Sequence, residues 1–273
     1  MNKPVTRALV IHSLCTVGKA SLTNIMPIMS IRGIEVCPIP SVILSSHTGG
    51  FKDIAKVDSE NFIKKATDSL NENGIDFDLN FIGYLGTREK VKETIEYLEE
   101  ETKGVTIVDT IFGDNFKLYN GFDLEYVKEL KKLIKLSDVI TPNFTEAIYL
   151  TNREFKDSYS EDDIRDIVYD LKEIGANNII ITSVPSEEGT IGIALYDGKD
   201  FSIIHHEKLH KSYPGTGDIF TAVLCTEMLK GNSLIEAVES SSTFVEECIR
   251  GSMDYDYPIR EGVLLERQLY RLL

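Results

Sequence analysis

Short apolar runs alternate with stretches of helical periodicity along this chain, and few architectures accept that order. A short run rich in Ile and Val suits a strand buried on both faces, and a helix between two such strands lets the next run join the same sheet. The alternation therefore predicts an α/β fold, a three-layer αβα sandwich with a central, mostly parallel sheet. Ala8-Leu9-Val10-Ile11 reads as the first strand, and residues 34–39, 79–85, 105–108, 139–141 and 178–182 as later ones. Helices are expected over 18–31 despite Pro27, from a cap at Asp58 or Ser59 to Leu70, over 89–101 behind Thr87, over 124–136, and after Ser160. Residues 189–206 read as a hairpin with Asp197-Gly198 as its turn. Ser233 and Glu236 have capping-box spacing, and Leu234, Ala237, Val238, Ser241, Phe244, Val245, Cys248 and Ile249 then recur on one inward face.

With 273 residues and 42% hydrophobic content, the chain can bury a sizeable core. No linker-like tract or repeat interrupts it, so one domain over residues 1–273 is expected. The formal net charge is −15, which removes the driving force for binding nucleic acid or an anionic membrane. The excess acid is diffuse, as in Glu99-Glu100-Glu101, and suits a solvated helix face. No apolar run approaches the ~18 residues of a membrane span, and residues 1–7 lack the charged-then-apolar order of a signal peptide. Cys15, Cys37, Cys225 and Cys248 are widely spaced and suit a reducing compartment, so a soluble cytoplasmic protein is expected.

The chemistry concentrates at Gly215-Thr216-Gly217-Asp218, just ahead of the apolar helix Ile219, Phe220, Val223, Leu224, Met228. Glycines let the backbone turn tightly and bring N–H groups close to a ligand. A helix start adds unsatisfied donors and the positive end of the dipole, which together suit an anion. Asp218 could be a simple cap. A carboxylate beside an anion site would repel the anion, however, unless it takes a proton from an attacking hydroxyl, which is general-base work. Further polar clusters follow expected strands: Asp109 through Asp114, then Thr141-Pro142-Asn143 with Glu146, then Thr182-Ser183. Hard oxygen donors at several strand ends suit Mg²⁺ and phosphate, although Asp114 could be a turn residue and Asn143 a helix cap.

These strings resemble the ribokinase-like superfamily, whose Gly-x-Gly-Asp also lies late in the chain and opens a buried helix. The match is to its vitamin B6 kinase branch. That branch has an Asp-Pro-Val-Met-Gly-Asp pattern followed by Lys-Leu-Tyr, where this chain has Asp109-Thr-Ile-Phe-Gly-Asp114 and Lys117-Leu118-Tyr119, with Thr110 in place of Pro. The resemblance implies an ATP-dependent kinase for the 5′-hydroxymethyl of pyridoxal, pyridoxine or pyridoxamine. Gly215, Thr216 and Gly217 would form the anion hole, and Asp218 would deprotonate the hydroxyl. Asp109, Thr141, Glu146 and Thr182 would surround Mg²⁺ or a monovalent cation such as K⁺, and Asp114 would help hold Mg²⁺. Asn143 and Ser183, with Thr182, would face the ATP phosphates, and Lys117 and Tyr119 would belong to a loop closing over the nucleotide.

On the acceptor side, Ser13, Thr48 in Ser45-Ser46-His47-Thr48-Gly49, and Tyr84 in Gly83-Tyr84-Leu85-Gly86 match the branch's pyridine-binding strings, with Ser46 replacing Asn. His47 either orients substrate or is a hydrogen-bonded structural group. Leu14-Cys15-Thr16-Val17 matches no family string. His205-His206-Glu207 and His210 read as a hairpin end and nucleotide rim, because adjacent strand histidines point to opposite faces. A homodimer is implied by the family alone. The alternatives are hydroxymethylpyrimidine kinase, acting on a similar heteroaromatic alcohol, and a catalytically silent pyridoxal- or nucleotide-binding regulator. A sugar kinase is disfavoured, since an early Gly-Gly…Asn pattern is missing.

Overall fold

The computed structural model describes residues 4–100 and 103–273, so Glu101, expected at a helix end, lies outside the described residues. The chain begins β1 (Thr6–Val17), α1 (Leu22–Ile31), β2 (Ile34–Ser46), β3 (Lys56–Asp58), α2 (Phe62–Glu72), β4 (Leu79–Ile82) and α3 (Arg88–Glu99). It continues with β5 (Val105–Val108), β6 (Gly113–Asp114), β7 (Lys117–Leu118), α4 (Leu124–Ile134), β8 (Val139–Ile140), α5 (Phe144–Thr151) and α6 (Glu161–Ile174). Then come β9 (Asn178–Val184), β10 (Thr190–Tyr196), β11 (Phe201–Glu207), α7 (Thr216–Leu229), α8 (Leu234–Met253) and three short 3₁₀ turns. These elements form two compact units, one built from the chain through Phe81 together with Leu209–Leu273, the other from Ile82–Lys208.

In the first unit the strand order is β4-β1-β2-β3. β1 and β2 run parallel from Thr6↔Ile34 to Val17↔Ser46, and β3 returns antiparallel on β2. Ala8 to Ile11 are fully buried, each large side chain contributing roughly 1.5–3 kcal/mol. Between His12 and Leu14 the register shifts, so that two steps along β1 span three along β2 (His12↔Pro40, then Leu14↔Ile43). α7 is buried almost throughout and packs against α1 and α8. Ser233 and Glu236 form the expected capping box, and Ala237, Val238, Ser241, Phe244 and Cys248 are buried.

In the second unit the order is β11-β10-β9-β8-β5. β5, β8 and β9 are parallel, while β10 and β11 are antiparallel, so the expected α/β class with mostly parallel pairing and a late hairpin is present. The hairpin turn uses four residues, with Asp197 Oδ1 accepting from Lys199 and Asp200 N–H, in place of a two-residue Asp-Gly turn. Thr87 and Ser160 cap α3 and α6 as expected.

Other boundaries differ. β1 and β2 run past their apolar runs because Cys15↔Leu44 and Val17↔Ser46 continue the ladder. α1 starts at Leu22, behind Ser21, and keeps Pro27 inside it. α2 starts behind Asn61 in a left-handed conformation, not at Asp58 or Ser59. Asp58 ends β3, and Ser59 Oγ donates to Pro40 and Ser41 carbonyls. No helix among the described residues is long and apolar enough to cross a membrane.

Candidate active site

Asp218 lies in the first turn of α7 and is 8% exposed. Gly215 precedes the helix in the left-handed region (φ +81°), and no side chain caps the turn that Thr216 and Gly217 begin. That leaves the start of a 14-residue helix suited to an anion. Glycine is required at 215 for a second reason. A Cβ there would overlap the Lys19 carbonyl oxygen and come within 2.8 Å of Asn24 Nδ2, which itself donates to the Lys19 and Gly215 carbonyls. The α7 start is thus seated directly on the segment between β1 and α1.

That segment also holds the carboxylate. Ser21 N–H donates to Asp218 Oδ2 at 2.5 Å, and His12 Nε2 lies 3.1 Å from Oδ1. Ser21 adopts φ 64°, ψ −146°, a backbone region that disfavours side chains by ~1–3 kcal/mol. Its Oγ is 2.6 Å from Ser13 Oγ, and Cys15 Sγ stands 3.8 Å from the same hydroxyl. The structure therefore brings Ser13, one of the expected acceptor residues, into the network that holds Asp218. It also gives the unmatched Leu14–Val17 stretch a place, as the continuation of β1 carrying Cys15 beside that network.

His47 has both ring nitrogens engaged by backbone: Nδ1 accepts from Gly49 N–H at 3.0 Å, and Nε2 is 2.6 Å from the Arg260 carbonyl. With Phe51 edge-on and the Arg260 guanidinium over that ring, His47 fastens the loop carrying exposed Thr48 to the C-terminal segment. This is the structural alternative for His47.

In the second unit, Asp109, Thr141 and Thr182 lie at the carboxyl ends of β5, β8 and β9. Their backbones continue the ladder: Asp109 N–H donates to Ile82, Thr141 N–H to Val108, and Thr182 N–H to Pro142 carbonyls. Asp109 and Thr141 are buried, Thr182 is half-buried, and exposed Ser183 takes φ 60°. Asn143 caps α5 in a capping box with Glu146, and its Nδ2 donates to the Gly113 carbonyl. Glu146 is an organiser of this loop. Its carboxylate accepts from Thr110 Oγ1, Phe112 N–H, Gly113 N–H and Asn143 N–H at 2.7–3.2 Å. Burial nevertheless outweighs those four donors and pushes its pKa up to about 7. Asp114 and Lys117 are exposed on the small β6–β7 hairpin, and Tyr119 follows it, its N–H bonded to the Phe112 carbonyl. Tyr84 is half-buried, edge-on to Phe122 at 5.6 Å.

His12 and Ser21 escape a reading from sequence alone. His12 follows four apolar strand residues and carries no motif, while Ser21 falls inside the helix expected over 18–31 and carries none either. Only the pairing of residue 218 with this segment reveals them.

The model of the phosphomethylpyrimidine kinase family matches residues 28–261. A pyridoxal kinase of Arabidopsis thaliana is 30% identical over 246 residues, 84% of this chain and 76% of that protein. A hydroxymethylpyrimidine/phosphomethylpyrimidine kinase of Aquifex aeolicus is 27% identical over 174 residues, 63% of this chain and 66% of that one. Among solved structures, a Bacteroides thetaiotaomicron protein assigned as a phosphomethylpyrimidine kinase, in a crystal form with pyridoxal, superposes with a TM-score of 0.93. It is 33% identical, and the match covers 98% of this chain and 96% of that one. This chain thus belongs to the phosphomethylpyrimidine kinase family, the ribokinase-like kinases whose members include its pyridoxal kinase and hydroxymethylpyrimidine kinase relatives.

Proposed function

We propose that the chain is an ATP-dependent pyridoxal kinase, transferring the γ-phosphoryl group to the 5′-hydroxymethyl of a B6 vitamer. The observation that carries this reading is the buried Asp218 carboxylate, which accepts Ser21 N–H and lies 3.1 Å from His12 Nε2 at an uncapped helix start. A capping role would direct the carboxylate to its own helix. Here it accepts from a residue 197 positions away instead. In the proposed reaction the N–H groups of Gly215, Thr216 and Gly217 receive the transferring phosphoryl, and Asp218 takes the proton as the substrate oxygen attacks phosphorus and ADP leaves.

Ser13, Thr48 and Tyr84 are assigned to the vitamer, and Asn143, Thr182, Ser183, Lys117 and Tyr119 to ATP. Asp109, Asp114 and Thr141 offer the hard oxygen donors that Mg²⁺ takes in small number beside phosphate oxygens and water. The oxygen donors suit by type an ion whose chemistry would be to neutralise phosphate charge, and among the described residues no three His, Cys, Asp or Glu side chains are grouped to hold it without phosphate and water. Glu146, saturated by four donors, supports the loop carrying Asp114, and a K⁺ site would draw on its neighbours. Pyridoxal as acceptor is supported by the Bacteroides crystal form containing it and by the Arabidopsis relative.

A second reading, hydroxymethylpyrimidine as acceptor, is favoured by the family model and the Aquifex relative. ATP-dependent phosphorylation of the three vitamers and of hydroxymethylpyrimidine, compared as kcat/KM, decides between them. The proposal expects a vitamer to be used fastest, and faster use of hydroxymethylpyrimidine would overturn it.

A further inference from the structure

His12 is a polar side chain only 1% exposed, lying beside Asp218 in the stretch where β1 and β2 change register. Irregular pairing of this kind commonly re-aims a side chain next to an active site. The ring is fixed on two sides. Nδ1 accepts Ser13 N–H at 2.8 Å, and Phe81 stands edge-on at 6.0 Å and 80°. Because Nδ1 is an acceptor, the proton of the neutral ring sits on Nε2. That N–H is buried and lacks a well-aligned partner, although Asp218 Oδ1 is 3.1 Å away. A core histidine kept only for packing would be expected to have its second nitrogen satisfied. This one is left pointing to a carboxylate whose other oxygen is already held by Ser21 N–H.

We infer that His12 is a positioning residue for Asp218: its Nε2–H and the Ser21 N–H clamp the two carboxylate oxygens, fixing the plane in which the carboxylate meets the substrate hydroxyl. The inference rests on the reading of Asp218 as general base. A loose contact in the free protein that aligns when substrate is bound is usual for groups around a catalytic base. Ser13 then has two parts in the arrangement, since its N–H sets the His12 tautomer and its hydroxyl contacts that of Ser21.

The test compares His12→Gln, whose amide nitrogen can replace Nε2–H, with His12→Asn and His12→Ala, in steady-state kinetics with ATP and the preferred acceptor. The Ala variant should lose about 10- to 100-fold in kcat, with both KM values within about 3-fold, and Gln should recover most of the loss while Asn does not. In an Asp218→Asn background, removing His12 should cost less than about 3-fold more, because the two act as one unit. An unchanged kcat in His12→Ala, a loss carried by KM, or Gln no better than Asn would overturn the inference. If the Ala variant fails to fold, the Gln-to-Asn ratio decides alone. Inactive Asp218→Asn with intact His12 variants defeats His12 only, whereas near-normal Asp218→Asn defeats the base and this inference together.

Discussion

Replacing Gly215 with alanine tests the seating of α7 on the β1–α1 segment. The backbone at 215 has φ +81°, which costs an L-residue roughly 1–2 kcal/mol. The added Cβ overlaps the Lys19 carbonyl, a backbone atom that cannot rotate away, and crowds Asn24 Nδ2. Overpacking of that kind costs about 1–3 kcal/mol more. Reduced freedom of the unfolded chain returns about 0.4–1 kcal/mol, leaving a net loss of about 1–5 kcal/mol. At ~2–4 °C per kcal/mol for a large domain, Tm should fall by at least about 2 °C in a thermal scan. The same displacement pulls Asp218 from Ser21 N–H, so kcat should fall by more than about 10-fold even at temperatures where the variant is folded. Unchanged Tm and kcat would show that the close approach of Gly215 to Lys19 does not exist in solution.

Three other perturbations probe separate parts of the structure. Glu146 titrates near 4.5 ordinarily and about 7 when buried, so the native state holds an extra proton between those values. Its stability contribution is full below about pH 4.5 and is lost as pH rises through about 7. Urea unfolding without nucleotide or divalent cation should therefore show wild type losing up to about 3 kcal/mol relative to Glu146→Gln across that window, and a pH-independent difference would contradict this. At Ser21, the positive φ predicts that Ser21→Gly is more stable than Ser21→Ala by about 1 kcal/mol, checked by chemical denaturation, because only glycine relieves the backbone. Ser233→Ala removes the α8 capping box, in which Ser233 Oγ accepts from Glu236 N–H, and should lower stability by about 1 kcal/mol with kcat unchanged.

The layered α/β class, the hairpin, the Thr87, Ser160 and Ser233 caps and the inward face of α8 were legible because each is a local pattern. Ala8 to Ile11 is apolar enough to read as a buried strand wherever it occurs. The length of β1 was not legible, because Cys15 and Val17 are strand residues through their partners Leu44 and Ser46, which lie almost 30 positions away. α2 starts behind Asn61 although Asp58 and Ser59 are equally good caps by residue type, since pairing of β3 with β2 takes Asp58 first and Ser59 Oγ is spent on the Pro40 and Ser41 carbonyls. The same contrast holds at the site. Gly215 to Asp218 is a contiguous string, and Glu146 follows Asn143 by one helical turn, so both could be found by spacing. His12, Ser21 and Asn24 act on residues near 218 across the fold, and no spacing rule connects them. His47 shows the reverse case. Its place in a matched string suggests substrate contact, yet its nitrogens are committed to Gly49 and Arg260.

The central claim, that Asp218 is the general base of a phosphoryl transfer, is tested most directly by Asp218→Asn. The substitution is nearly isosteric and keeps an oxygen that can accept Ser21 N–H, so the fold and ATP binding should survive. Turnover of the preferred acceptor should fall by at least about 100-fold, with ATP affinity and Tm close to wild type. Turnover near that of the unaltered chain would contradict the assignment.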